Sequence, residues 1–80
     1  MNDTYFVTHH RGVAVMHEEI GRMYAEEGRH NEAGHRYQWA ADSYRQAGMP
    51  TEAGDMDFLA CYELAQVRPS APVNISALVE

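Results

Sequence analysis

The side chains in this sequence that are best able to bind a metal ion or to act as nucleophiles are those of histidine and cysteine. The chain holds one cysteine and five histidines: His9, His10, His17, His30 and His35. A zinc site on a helix typically needs two histidines three or four residues apart and a third ligand on the same face. His17 has no second histidine at that spacing, and the adjacent pair His9 and His10 is the best remaining candidate. We therefore expect no metal site and no bound cofactor.

The single cysteine, Cys61, excludes an internal disulfide and a metal site made of cysteines alone. It lies in an apolar stretch, where a free thiol usually packs as a small, unreactive hydrophobic side chain. The six glycines are scattered and do not form a phosphate-binding loop. These patterns indicate a protein that is not an enzyme.

Trp39 is a candidate for binding another protein. It lies two residues from Tyr37 and so points away from the apolar stripe of its helix, toward polar residues that include Asp42. An exposed tryptophan with polar neighbours is a common anchor in protein interfaces. The alternative interpretation places Trp39 beneath the N-terminal segment, and the sequence leaves both open.

Acidic residues in the second half of the chain are placed to form a negative face: Asp42, Glu52, Asp55, Asp57 and Glu63. Such a face suits a basic protein partner, or it imitates the phosphate charge of nucleic acid. An ordinary solvated helix surface is the alternative.

The overall charge narrows the range of partners. Twelve acidic residues stand against six basic ones, which gives a net charge of −6. A nucleic-acid-binding surface needs clustered lysine and arginine, so we expect no direct contact with nucleic acid. No window approaches the roughly 20 apolar residues of a membrane span, and the N-terminus lacks the pattern of a secretory signal. We expect a cytoplasmic protein without membrane contact.

Hydrophobic spacing predicts one all-α domain of three helices over residues 13–67, between a short lead-in at 1–12 and a tail at 68–80. The helices are expected at about 13–27, 31–47 and 51–67, with Gly28 and Gly48 ending the first two. Asn31 and Thr51 are the expected N-caps of the second and third. The lead-in is either extended or a loose turn, and alternating residues at 73–79 predict either a short strand or a frayed end.

Three apolar patterns follow from these helices. The first helix has one stripe at spacings of three and four, formed by Val13, Met16, Ile20 and Met23 or Tyr24. The second has an inner stripe of alanine and tyrosine: Ala33, Tyr37, Ala40, Tyr44 and Ala47. The third is apolar on two sides, and its second side is formed by Phe58, Cys61, Tyr62 and Ala65. We expect another chain to cover that second side.

One unit of helix, glycine turn and small residue occurs twice in the sequence. Four residues recur after twenty positions: Tyr24, Gly28, Ala33 and Ala40 are followed by Tyr44, Gly48, Ala53 and Ala60. A repeated unit of this kind predicts stacked helices.

The run from Ile20 to Ala40 resembles the tetratricopeptide repeat. Its glycine, aromatic and alanine residues stand at the spacings of that family's helix pairs: Ile20, Gly21, Tyr24, Gly28, Ala33, Tyr37 and Ala40. The resemblance covers residues 17–48 and extends more loosely over 49–66. It implies a helical repeat fold that binds other proteins.

The chain is also similar, more weakly, to the small ANR and PerC-type regulators of enteric bacteria and phages. The similarity lies in the size and in the order of residues along the chain: Glu26, Glu27, Gly28, Arg29, Glu32, Ala33, Trp39, Phe58 and Cys61. This resemblance implies a regulator that works by binding another protein.

From these patterns we predict a small non-enzymatic adaptor or regulator, shaped as a tetratricopeptide-like three-helix bundle, that acts by occupying a partner protein. The partner is expected to be basic or to offer an apolar groove, and the protein itself to form a homodimer. The predicted partner-binding residues are Trp39, Asp42, Asp55, Asp57, Phe58 and Tyr62. The first alternative function is a phage-type inhibitor whose acidic face blocks a host complex that handles nucleic acid. The second is a small metal-binding or redox protein that uses the histidines and Cys61.

Overall fold

The computed structural model describes residues 3–67 as three α-helices, with no strand in that range. They are α1 (Asp3–Glu26), α2 (His30–Gln46) and α3 (Pro50–Ala65). Three-residue linkers force successive helices to run antiparallel, and α2 packs against α1 on one side and α3 on the other. The predicted all-α, three-helix class is confirmed, whereas the predicted tail lies outside the described residues.

The first helix begins at Asp3, ten residues earlier than predicted. Aromatic rings and histidines one turn apart contact each other along its N-terminal part. Tyr5 stacks on His9 at 6.2 Å and Phe6 meets His10 edge-on at 4.2 Å between ring centroids. Pairs at this spacing stabilise a helix. Gly12 does not end the helix, because only a few tenths to about 1 kcal/mol separate glycine from alanine in a helix. The expectation of an extended or loose lead-in was therefore wrong over residues 3–12.

The two linkers have the same backbone geometry. Gly28 and Gly48 adopt φ angles of 78° and 75°, the left-handed region that favours glycine. The next residue bonds back across each turn, from Arg29 N–H to the Tyr24 carbonyl and from Met49 N–H to the Tyr44 carbonyl, both at 2.9 Å. This is the Schellman ending of a helix, and it confirms both predicted stops.

Both predicted N-caps, Asn31 and Thr51, were wrong by two residues. The flanking residues are Arg29 and Met49, neither of which makes a side-chain capping bond, and Pro50 is the first residue of α3. Each Schellman turn carries the chain directly into the next helix, so no separate capping residue is needed. Pro50 fits the first position because its missing N–H would have no helical partner there.

Small residues form most of the core and bring the helices close together. The buried hydrophobic residues are Ala14, Ala33, Tyr37, Ala40, Ala41, Tyr44, Ala47, Ala53, Met56 and Ala60. This set confirms the predicted inner stripe of α2. A Cβ built on Gly21 would lie 3.0 Å from the Tyr37 ring, and one on Gly34 would lie 2.6 Å from the Leu64 side chain. The close approach of α2 to both neighbours thus depends on glycine at these two positions.

The apolar stripe of α1 faces away from α2. Met16 and Met23 are exposed and Val13 and Ile20 only half-buried, whereas Ala14 and Gly21 are buried. On α1 the small residues Ala14 and Gly21 lie closest to α2 and Tyr24 packs partly buried against the core, whereas Met16 and Met23 remain exposed.

Candidate functional site

An exposed apolar surface runs along the side of α3 that faces away from α2. We call it the α3 outer face, formed by Gly54, Phe58, Cys61, Tyr62 and Ala65. Phe58 is 69% exposed and Tyr62 is 56% exposed. Alanines and Met56 occupy the buried side of α3, so the outer face contributes nothing to the core. The sequence thus placed Phe58 and Tyr62 correctly, but the expectation that Cys61 would be buried was wrong.

The acidic residues predicted for partner binding divide into two groups. Asp42 and Asp57 both pair with Arg45, Asp42 at 3.2 Å, and this surface cluster joins α2 to α3. Asp55 lies three residues before Phe58, is exposed, and borders the α3 outer face. Asp55 is therefore the predicted acidic residue beside the α3 outer face, whereas Asp42 and Asp57 are engaged within the chain.

Glu63 is part of the packing and not of the acidic surface. Its side chain is largely buried, and its Oε1 lies 2.6 Å from Nδ1 of His30 at the start of α2. A buried carboxylate needs a partner, and His30 supplies it. This contact fastens the C-terminal part of α3 to the N-terminal turn of α2.

Trp39 lies on the surface between α1 and α2 and is 48% exposed. Its ring meets the His17 ring of α1 edge-on at 5.5 Å, and the Arg36 guanidinium lies 5.1 Å from the ring centre. Arg36 is within hydrogen-bond distance of Nδ1 of His17, at 3.2 Å. Partial burial and the Arg36 charge both lower the pKa of His17. Neutral His17 can thus accept a hydrogen bond from Arg36, and both side chains contact the Trp39 ring.

A shallow groove of about 270 Å³ lies beside Trp39, lined by Tyr24, Glu32, His35, Arg36 and Trp39. Of the two interpretations of Trp39, the geometry agrees with the exposed one, because residues 3–12 continue α1 and do not fold back over the ring.

Trp39 and the α3 outer face are separate surfaces. Gly34 of α2 contacts Leu64 of α3, and Trp39 follows it by five residues, about 140° around the helix. Trp39 thus points away from α3. The predicted site residues therefore fall in three places. Trp39 lies between α1 and α2, Asp42 and Asp57 lie in the Arg45 cluster that joins α2 to α3, and the rest lie on or beside the α3 outer face: Asp55, Phe58 and Tyr62.

The twenty-residue repeat reveals one further member of the α3 outer face, Gly54, that residue types alone did not indicate. Gly34 and Ala41 of α2 are buried, and Gly34 contacts α3; their counterparts on α3 are Gly54 and Cys61. No atom lies within 4 Å of a Cβ built on Gly54. On α3, the small residues that would let another helix approach are present, but they are exposed.

In residues 3–67, no group of three or more histidine, cysteine, aspartate or glutamate side chains is placed to hold a metal ion. None of the described helices is both long enough and apolar enough to span a bilayer. Comparison of the chain with protein-family models, with curated proteins and with solved structures found no match.

Proposed function

We propose that this protein is a non-enzymatic adaptor or regulator that binds another protein through the α3 outer face. The observation that carries the proposal is the pair Phe58 and Tyr62, two large aromatic side chains exposed one turn apart on a helix whose other side already fills the core. Aromatic residues are enriched among the side chains that dominate interface energies.

The shape of this face favours a helix as the partner element. Gly54 and Cys61 repeat the small positions through which α2 receives α3. A partner helix can approach Gly54 closely, as Leu64 approaches Gly34, with Phe58 and Tyr62 beside it. In this interpretation the partner supplies the next helix of a tetratricopeptide-like stack.

Charge favours a basic partner. Four of the residues of α3 are acidic and none is basic, and exposed Asp55 borders the apolar residues. Basic side chains flanking the apolar stripe of the partner helix would speed the encounter and fix its orientation. Trp39 provides a second, independent contact surface on the other side of α2.

The phage-type inhibitor is the second candidate. It requires a broad, free negative surface, but Asp42 and Asp57 share Arg45 and Glu63 is buried against His30. These pairs leave Glu52 and Asp55 as the exposed acids of α3 without that engagement. The apolar contact therefore has the stronger support.

The test is affinity purification from lysate of the source organism, with the full chain as bait and mass spectrometry as the readout. Phe58→Asp places a carboxylate in the α3 outer face, and Gln38→Asp places the same group at the counterpart position of α2. We expect a protein that is retained by the wild type and by Gln38→Asp but lost with Phe58→Asp. Equal recovery with all three baits would contradict the proposal.

The dependence of partner binding on salt concentration distinguishes the two candidate functions. An apolar helix contact should survive a rise from low to high ionic strength, because salt screens charges without weakening burial of apolar surface. A partner held by the acidic surface should be released over the same range. Release by salt from a bait that tolerates Phe58→Asp would favour the inhibitor.

A further inference from the structure

A second apolar surface, independent of the α3 outer face, follows the length of α1. We call it the α1 stripe, and its members recur at spacings of three, four, three, four and three: Phe6, His9, Val13, Met16, Ile20 and Met23. Phe6, Met16 and Met23 are each about half exposed. This spacing is the heptad pattern by which one helix packs along another.

Within residues 3–67, no other helix packs on the α1 stripe. The small residues Ala14 and Gly21 meet α2, and the stripe lies about a third of a turn around the helix from them. The helix also continues beyond α2, because Gly21 lies opposite Tyr37 in the antiparallel pair, which places the end of α2 near residue 12 of α1. Neither α2 nor α3 therefore covers the first two turns of α1.

The α1 stripe contains no acidic residue, although the chain has a net charge of −6. Two copies of an acidic protein repel each other, so the stripe is a surface where they can meet without opposing carboxylates. Exposed Glu19 and Glu26 border the α1 stripe, as Asp55 borders the α3 outer face. Charge therefore favours a register of two α1 helices that keeps these carboxylates apart.

We propose that the α1 stripe joins two copies of this chain as an antiparallel pair of α1 helices. The spacing permits a symmetric register in which Val13 of each copy meets Met16 of the other. Phe6 then meets Met23, and His9 meets Ile20, so every layer holds at least one large apolar side chain. Glu19 and Glu26 of one copy lie opposite Gly12 and Tyr5 of the second copy and not opposite each other.

A specific interface buries about 600–1,000 Å² per partner. The α1 stripe follows about 25 Å of helix from Phe6 to Met23, and Phe6, Met16 and Met23 are each about half exposed along it. A dimer of this kind leaves both α3 outer faces free. Its formation is independent of the function proposed above, and the two can fail separately.

Sedimentation analysis of the full chain at about 100 μM tests the dimer. We expect wild type at twice the 9.1 kDa chain mass. Met16→Glu buries two unpaired carboxylates per dimer and should weaken association by about a hundredfold or more. The matched control, Phe58→Glu, puts the same charge on the α3 outer face and should remain dimeric. A monomeric wild type, or a dimer lost in Phe58→Glu and retained in Met16→Glu, would overturn the proposal.

Disulfide formation tests the antiparallel arrangement without depending on any destabilising charge. In a Cys61→Ser background, chains carrying Phe6→Cys are mixed with chains carrying Met23→Cys and oxidised. The proposed register brings these two positions together, whereas Phe6 of one copy lies about 25 Å from Phe6 of the other. We expect the mixed disulfide to form in preference to either symmetric one. Symmetric disulfides without the mixed product, or no disulfide at all, would overturn the arrangement.

Discussion

Helices α2 and α3 are related by a shift of twenty residues, and they differ most on their outer sides. Inside, the correspondence is close: Ala33 and Ala40 of α2 are matched by Ala53 and Ala60 of α3, and all four are buried. On the outer side, three polar residues of α2 are matched by three apolar ones of α3: Gln38, Asp42 and Arg45 correspond to Phe58, Tyr62 and Ala65.

This difference separates what the fold requires from what it does not. The repeated inner residues are needed for close packing of the helices, so they recur. The other residues differ because their surroundings differ. Gln38, Asp42 and Arg45 border the side of α2 that receives α3, where Arg45 pairs with Asp42 and Asp57, whereas Phe58, Tyr62 and Ala65 are exposed on α3. The aromatic pair on α3 is therefore available for an intermolecular contact, which is the basis of the proposed function.

The largest predicted effect on stability comes from substituting the glycine of α2 that has a counterpart on α3. Gly34→Val must displace the Leu64 side chain, because even a Cβ at Gly34 would lie 2.6 Å from it. We expect a loss of about 2 kcal/mol or more in the free energy of unfolding, which lowers Tm by roughly 10 °C in a domain of this size. Thermal unfolding followed by circular dichroism measures it.

The matched control is Gly54→Val, at the corresponding position of α3. No atom lies within 4 Å of a Cβ there, so the stability should stay close to that of the wild type. A similar loss from both substitutions would show that the two helices are equally crowded, and the idea of an open helix-accepting position at Gly54 would fail.

The turns between the helices could be predicted from the sequence, whereas the start of α1 could not. Gly28 and Gly48 predicted both turns correctly, because a left-handed residue at a helix end strongly favours glycine. The start of α1 was missed because Gly12 suggests a boundary, whereas pairing of Phe6 with His10 extends the helix past it. A glycine reliably predicts the end of a helix only where the backbone conformation at that end requires glycine.

The exposed aromatic residues of the α3 outer face could be predicted from the sequence, but the role of the acidic residues could not. Exposure of Phe58 and Tyr62 follows from helical spacing, since Ala53, Met56 and Ala60 already define the buried side. The role of the acids does not follow, because pairing of Asp57 with Arg45 and of Glu63 with His30 depends on how the helices are placed in space. Sequence spacing shows which side of a helix a residue occupies but not which residue of another helix it meets.

Tyr44 of α2 corresponds to Leu64 of α3, which lacks a hydroxyl group. Removing the Tyr44 hydroxyl is expected to have an intermediate effect on stability. It donates a hydrogen bond of 2.7 Å to Oε1 of Glu18, which ties α2 to α1. Tyr44→Phe keeps the ring and removes this bond, so we expect a loss of about 1 kcal/mol in the free energy of unfolding. Denaturant unfolding measures it, and Tyr62→Phe, on an exposed side chain, should cost almost nothing.

The difference between wild type and Tyr44→Phe should also depend on pH. Burial and the bond to Glu18 raise the pKa of Tyr44 to about 12, from 10.0 in the unfolded chain. The unfolded wild type ionises at lower pH than the folded one, so this stabilisation is lost as pH rises from 10 through 12. The stability gap to Tyr44→Phe should narrow over that range, and a gap that stays constant or widens would contradict this origin.

The smallest predicted effect on stability comes from giving α3 the outer residues of α2. The triple variant Phe58→Gln, Tyr62→Asp and Ala65→Arg reproduces the α2 set, including an acid and an arginine three residues apart as in the pair of Asp42 with Arg45. Exposed positions of this kind usually change stability by no more than about 0.5 kcal/mol. We expect an unchanged Tm in thermal unfolding together with loss of the partner protein in affinity purification. A fall in Tm comparable to that of Gly34→Val would mean that the outer side of α3 supports the fold of this chain, and the contrast between the two helices would no longer indicate a binding surface.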